Sequence, residues 1–199
     1  MVEHACNVCA RPTILAAEAA PQAIAGWRKA LREERTLIVG ISGIDASGKS
    51  HLSREWRNGL IALGVHTRVA SIDDWQHPAE VVYSDIDPGG HFYRHGFRFE
   101  DLLNAEVRPR RQGRLRDVEV LLVEGIFLFQ EGVAEAFDQR IWVECSFERG
   151  MERAVARAQE GLGPAETVKA YEKTYYPAQR VHFERDKPWE KAHWVVRNG

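Results

Sequence analysis

The sequence predicts an α/β domain of the three-layer α/β/α type, with a mostly parallel sheet covered by helices on both faces. Three observations carry this. Short apolar runs rich in branched residues recur at 36–42, 65–72, 118–123 and 140–145, and the first reads as a strand buried on both faces. Helical patterns separate the runs, so successive strands cross over and lie parallel. A chain of 199 residues can also bury roughly 70% of its unfolded surface, enough for a core that needs no disulfide or metal staple.

In chain order, residues 1–12 read as a loose tail and 13–35 as a helix, with Ile24, Trp27, Ala30 and Leu31 at helical spacing and Pro21 near its start. Residues 1–35 thus form an N-terminal tail and helix ahead of a main domain at 36–199. The strand at 36–42 runs into a glycine-rich turn at 43–48. Leu52, Trp56, Leu60 and Leu63 then make one apolar helical stripe, which Gly64 stops. Residues 65–72 are the second strand. Residues 73–117 break the rhythm with prolines, glycines and arginines and hold six aromatics: Trp75, Tyr83, Phe92, Tyr93, Phe97 and Phe99. Only 98–106 reads as a helix there, and an insert at about 74–117 on a rigid scaffold suits a binding segment. A third strand at 118–123 ends at Glu124-Gly125. A short helix near 131–137, a strand at 140–145, helices at 147–160 and 165–176 and a last strand at 193–197 complete the chain.

Composition narrows the function. Lys plus Arg number 27 and Asp plus Glu 29, a formal charge of −2, which argues against a generally basic nucleic-acid binder. No run of eighteen apolar residues exists, so no membrane-spanning helix is expected. The opening MVEHACNVCARP has no basic region of a secretory signal. The three cysteines, Cys6, Cys9 and Cys145, are an odd and sparse set, which reads as reduced thiols and a cytoplasmic home. Cys6 and Cys9 form a C-x-x-C, but two further zinc ligands at matching spacing are missing.

The strongest motif is Gly43-Ile44-Asp45-Ala46-Ser47-Gly48-Lys49-Ser50, which fits G-x-x-x-x-G-K-[ST], the Walker A pattern of a P-loop. Such a loop turns main-chain N–H groups onto phosphate oxygens at the positive end of the following helix. His51 follows in the same first turn. Lys49 supplies a cation for the terminal phosphates of ATP, and the Ser50 hydroxyl a ligand for magnesium. The fold is accordingly expected to be of the P-loop NTPase type. No Asn-Lys-x-Asp run for guanine is present.

A phosphotransferase also needs a base at the acceptor hydroxyl, an acid beside the metal and further cations. Asp73 closes the second strand and is the candidate base and a metal-side ligand, with turn capping as the alternative. Asp74 should face the other way. Glu124 ends the third strand, where an acid holds magnesium or its water. Arg149, Arg153 and Arg157 recur every four residues on one helical face. That face is either a solvated one, relieved by Glu148, Glu152 and Glu160, or a lid at about 147–163 that closes on polyphosphate. Tyr83, His91 and Arg94 are candidate acceptor contacts. His91 and His95 have helical spacing, though Gly90 and Gly96 argue against a helix. Five arginines between Arg108 and Arg116 read as a solvated hairpin rather than an anion site. Trp142 alternates with Ile141 and Val143 and reads as packing.

In this order the pieces resemble the uridine kinase and phosphoribulokinase group of P-loop kinases, which includes bacterial pantothenate kinase. The likeness runs from about Leu37 to the C-terminus. Beyond the loop it rests on Asp73-Asp74-Trp75, Leu122 to Leu128, Arg153-Ala-Val-Ala-Arg157, Tyr171, Tyr176-Pro177-Ala178-Gln179 and the closing Ala192 to Val196. The resemblance implies that Asp73 is the catalytic base and a metal-side ligand, that Glu124 sits by magnesium, and that Arg153 and Arg157 bind phosphates. The nucleoside-reading parts depart from the pattern. Tyr83 to Gly90 lacks a His before Pro88, Leu162 stands where an Arg usually precedes the lid glycine, and Ala170 replaces a Gln. In this the chain is similar to the uridine kinase-like bacterial proteins.

The expectation is a kinase that uses ATP and Mg²⁺ to phosphorylate a hydroxyl of a small metabolite, as a monomer or homo-oligomer, with no nucleic-acid or membrane partner. Alternatives are a kinase of a non-nucleoside such as pantothenate or a sugar, and a regulatory P-loop ATPase without a small acceptor.

Overall fold

In the computed structural model, which describes residues 12–157 and 162–199, the apolar runs pair into one sheet of six strands. These are β1 (Thr13–Ile14), β2 (Leu37–Gly43), β3 (Thr67–Ser71), β4 (Val120–Gly125), β5 (Gln139–Glu144) and β6 (Trp194–Arg197), in the spatial order β1-β6-β5-β2-β4-β3. Every pairing is parallel. Cys6, Cys9 and Glu160 lie outside the described residues. The N-terminal segment contributes β1, which pairs with β6 at Thr13↔Trp194, and α1 (Ala20–Ala30).

Alternation of side chains across the strands splits the core in two. Leu37, Val39 and Ile41 of β2, with Val120 and Leu122 of β4 and Ile141 and Val143 of β5, face α1 and α2 (Lys49–Ala62), where they meet Ile24, Leu52, Trp56 and Leu60. Ile38, Leu121, Val123 and Trp142 face the other side, where Phe127, Phe129 and the aromatics of the insert pack. Burial on both faces is why β2 and β4 carry no polar residue before their C-terminal ends.

The insert is more helical than its sequence predicts. A 3₁₀ turn (Ile72–Trp75) leads to α3 (Ala79–Val82) and α4 (Pro88–His95), then to an unbroken helical run through α5 (Phe99–Leu102), a π turn (Leu103–Val107) and α6 (Arg108–Arg111). The expectation that Gly90 and Gly96 exclude a helix around His91 and His95 is therefore wrong. The Asp87 side chain caps α4 by accepting from the Gly90 amide at 3.0 Å. Gly89 is needed for contact: a Cβ there would lie 2.5 Å from Pro177 Cβ, so glycine lets α4 press against a later helix. Packing of this kind outweighs the roughly 1 kcal/mol that glycine costs a helix. The arginine run forms no hairpin. Arg110 is buried and binds Asp117 at 2.6 Å and Glu106 at 2.8 Å, anchoring the end of α6.

Two further expectations change. The helix near 131–137 is only a 3₁₀ turn at Ala134–Ala136. After β5 come α7 (Phe147–Arg157) and α8 (Pro164–Ala170), and the helix expected to end near 176 continues through a π turn (Tyr171–Tyr175) into α9 (Tyr176–Asp186). Pro177, which has no N–H to donate, falls just after the π turn, where the register of the helical bonds changes. A short α10 (Pro188–Lys191) leads to β6. None of the described helices is long and apolar enough to cross a membrane.

Leu122 is fully buried in the central sheet. Leu122→Ala should lower the unfolding free energy by about 2–5 kcal/mol, measured by urea denaturation. A loss near zero would contradict its place in the core.

Candidate active site

Parallel strands end on the same side, and crevices form beyond their carboxyl ends. Here β2, β3 and β4 bring four predicted residues to that side. The register sets Ile41 of β2 and Ser71 of β3 on either side of Glu124. The Ser71 hydroxyl then accepts from the Asp73 amide at 3.3 Å and opens the 3₁₀ turn. Asp73 is thus placed by a capped turn two residues past the strand and not by the strand itself. Asp74 is exposed on the same turn.

Between β2 and α2 the loop reverses tightly. Ala46 and Gly48 have φ of 56° and 94°. Left-handed residues set among right-handed ones turn successive amides into a concave nest. The amides that open α2 have no intrahelical carbonyl to bind. The Ser47 hydroxyl is buried, with no hydrogen-bond partner among the described residues. Lys49 is buried, and its Nζ donates to the Ile44 carbonyl at 2.8 Å, so the ammonium is held inside the loop. Ser50 Oγ donates to Glu124 Oε2 at 3.2 Å. His51 faces solvent beside Glu55, away from the cradle.

The electrostatics are unbalanced. Asp73 can be reached by water but stands in a recess of protein atoms. Its partial burial and the negative charge of Glu124 push its pKa up to about 6, against the pull of Lys49, and Asp45 and Asp74 push the same way. Acids held together against one ammonium make a place for a cation. No group of three His, Cys, Asp or Glu that could hold a metal occurs among the described residues. Magnesium does not require one, since it keeps several waters and takes one or two protein ligands beside substrate phosphates. Ser50 and Glu124 fit that role, with Asp73 at the edge.

Around this centre the expectations divide. Arg153 of α7 reaches the loop: its Nη1 donates to the Ser47 carbonyl at 3.3 Å. Arg149 instead pairs with Glu152 at 2.7 Å, and Arg157 is exposed at the last turn of α7. His91 Nε2 donates to the Val81 carbonyl at 2.7 Å, and Arg94 binds Asp87 at 2.9 Å. Both brace the turn before α4. Tyr83 meets Tyr175 hydroxyl to hydroxyl at 3.0 Å and lines a cleft of about 270 Å³ with Ser84, Asp85, Pro88, Lys173 and Thr174. Trp142 packs in the core as expected.

Two contacts escape sequence reading. Asn198 Nδ2 donates to the same Ser47 carbonyl at 2.7 Å, and Tyr171 donates to Asp45 Oδ2 at 2.7 Å. Nothing near Asn198 in sequence marks it. It acts because β6 ends beside β5, which lies next to the loop strand.

Solved structures share this fold. A protein called a possible uridine kinase, from Bacillus stearothermophilus, superposes with a TM-score of 0.69 at 17% identity, over 90% of this chain and 98% of that one. A structure named as a fructose transport system kinase, from Silicibacter sp. TM1040, gives a TM-score of 0.70 at 19% identity, over 91% and 98%. The chain has the P-loop kinase fold. No family model matches it, and no curated protein matches it in sequence. The agreement therefore lies in the fold alone.

A raised carboxylate pKa carries a sign that can be tested. The unfolded chain releases the Asp73 proton from a pKa near the ordinary 3.8, the folded chain near 6. Stability should therefore fall as pH rises from about 4 to about 6, and this loss should be absent in Asp73→Asn. By ¹³C NMR, the Asp73 carboxyl should titrate near pH 6 and move to lower pH in Glu124→Gln. An unmoved midpoint would show that Glu124 does not bear on it.

Proposed function

We propose that this protein is an ATP- and magnesium-dependent kinase that phosphorylates a hydroxyl of a small metabolite. The observation that carries the reading is the convergence of Lys49, Ser50, Glu124 and Asp73 at the end of the central strands. The anion nest of the loop adjoins them through Lys49 and Ser50. The names of the two structural neighbours agree with it at the level of reaction class.

Each residue has a defined task. The loop amides and Lys49 hold the β- and γ-phosphates of ATP. Ser50 and Glu124 would hold magnesium, which neutralises phosphate charge in the transition state. Asp73 accepts the proton of the attacking hydroxyl. The acceptor oxygen bonds to the γ-phosphorus as the bridging bond to ADP breaks, and ADP leaves with the electron pair. Arg153, docked on the loop, places its cation next to the transferring group, and Arg157 is offered by the same helix. A base with a pKa near 6 suits this task, being ionised at neutral pH yet still a competent proton acceptor.

The acceptor side favours a neutral polyhydroxyl compound over an anionic one. Asp45, Asp74 and Glu124 all act on Asp73, and Lys49 is the cation that offsets them. An acceptor with a phosphate or carboxylate near its reacting hydroxyl would be repelled there.

The test is acceptor-dependent release of ADP in a panel of nucleosides, sugars, pantothenate-like alcohols and their phosphorylated forms, with MgATP. A neutral acceptor should stimulate release. In Asp73→Asn the transfer rate should fall about 10²–10⁴-fold with ATP affinity retained. ATP hydrolysis that no acceptor alters would instead favour a regulatory ATPase.

A further inference from the structure

The helical run from Pro164 to Asp186 changes register once, in the π turn Tyr171–Tyr175. A π turn redirects side chains that an α-helix would stack on one face, and such turns gather at functional sites. Here it fans out three tyrosines. Tyr171 donates to Asp45 in the phosphate loop at 2.7 Å. Tyr175 meets Tyr83 of the insert at 3.0 Å. Tyr176 donates to the Phe147 carbonyl at the base of α7 at 2.6 Å. One short segment thus touches the loop, the insert and the arginine helix, and the mechanism above uses none of these hydroxyls.

Asp45 is the partner that gives the first contact a consequence. A carboxylate within a loop that receives a triphosphate repels its ligand unless it is held in place. The Ala46 amide donates to Asp45 Oδ1 at 2.8 Å, and Tyr171 occupies Oδ2, so both oxygens are engaged. Tyr171 is itself fixed: it is buried, with its ring edge-to-face on Tyr175 and on Tyr176 at centroid distances of 5.2 Å. A rigid, neutral donor can restrain the acid without adding a charge that competes for phosphate.

We propose that Tyr171 is a positioning residue of the nucleotide site, whose hydroxyl locks the Asp45 carboxylate in the orientation that lets the loop accept a polyphosphate. The inference rests on the nucleotide-binding part of the proposed function. It adds that the affinity of the loop is set partly from the acceptor side, by the helical run that also meets Tyr83 and Phe147.

A double-mutant cycle on the full chain tests it, with calorimetric titration of the magnesium complex of the non-hydrolysable analogue AMP-PNP. Tyr171→Phe keeps the ring and should weaken binding about tenfold, the effect of one lost hydrogen bond to a charged group. With Asp45→Asn in place the same change should cost less than about twofold, because the charge to be restrained is gone. Tyr93→Phe is the control. It removes a hydroxyl bond to Asp186, at the far end of the same helical run, with no contact to Asp45, and its effect should be equal in both backgrounds. Equal losses for Tyr171→Phe in both backgrounds, or no loss in either, would overturn the proposal and leave the kinase reading standing. A parent chain that binds no nucleotide would overturn both.

Discussion

A partly buried acid, Asp73, set in the field of Glu124 and offset by Lys49, is the constraint on which the rest of the site turns. Loss of water around its carboxylate, and after it the negative charge of Glu124, push its pKa up to about 6. The fold accepts this cost because both positions are fixed by backbone geometry. Glu124 is locked into β4 between two parallel neighbours, and the Asp73 turn is pinned by the Ser71 hydroxyl. Neither can retreat without breaking a ladder or a cap. A cation placed beside the two acids would lower the cost of holding both ionised.

The sheet was legible because its strands are buried on both faces. Leu37, Val39 and Ile41 have no solvent side to blur their pattern, and the same holds for Val120 to Val123. The phosphate loop was legible for a different reason: its chemistry is carried by backbone and by two side chains in fixed spacing. Glu124 was legible as the first acid after an apolar run. The insert was not. Its helices are held by contacts between segments distant in sequence, such as α4 on α9, and Gly89 at that contact reads locally as a helix breaker. Arg110 looked like one more surface arginine, because its burial depends on where Asp117 and Glu106 come to lie.

Of the two side chains that donate to the Ser47 carbonyl, Arg153 of α7 was legible and Asn198, just past β6, was not. The target of Asn198 is a main-chain oxygen, which leaves no complementary residue in sequence to signal it. A carbonyl that accepts two donors holds its peptide unit, and so the loop, in one orientation.

The loop and the strand ends are rigid, and the cleft of the insert is adaptable. Glu124 belongs to the central sheet and Lys49 and Ser50 to the first turn of α2, and all three are buried or nearly so. The cleft around Tyr83 is lined by Ser84, Asp85 and Pro88 of the insert and by Lys173 and Thr174 of the π turn. Asp85 and Lys173 form an exposed ion pair across it, an interaction worth at most about 1 kcal/mol. A contact that weak can open and close at little cost. In the proposed function this division would suit phosphoryl transfer to an alcohol. Phosphate and metal need fixed dipoles that do not reorganise during the reaction, whereas the acceptor must enter, shed water and leave carrying two more negative charges.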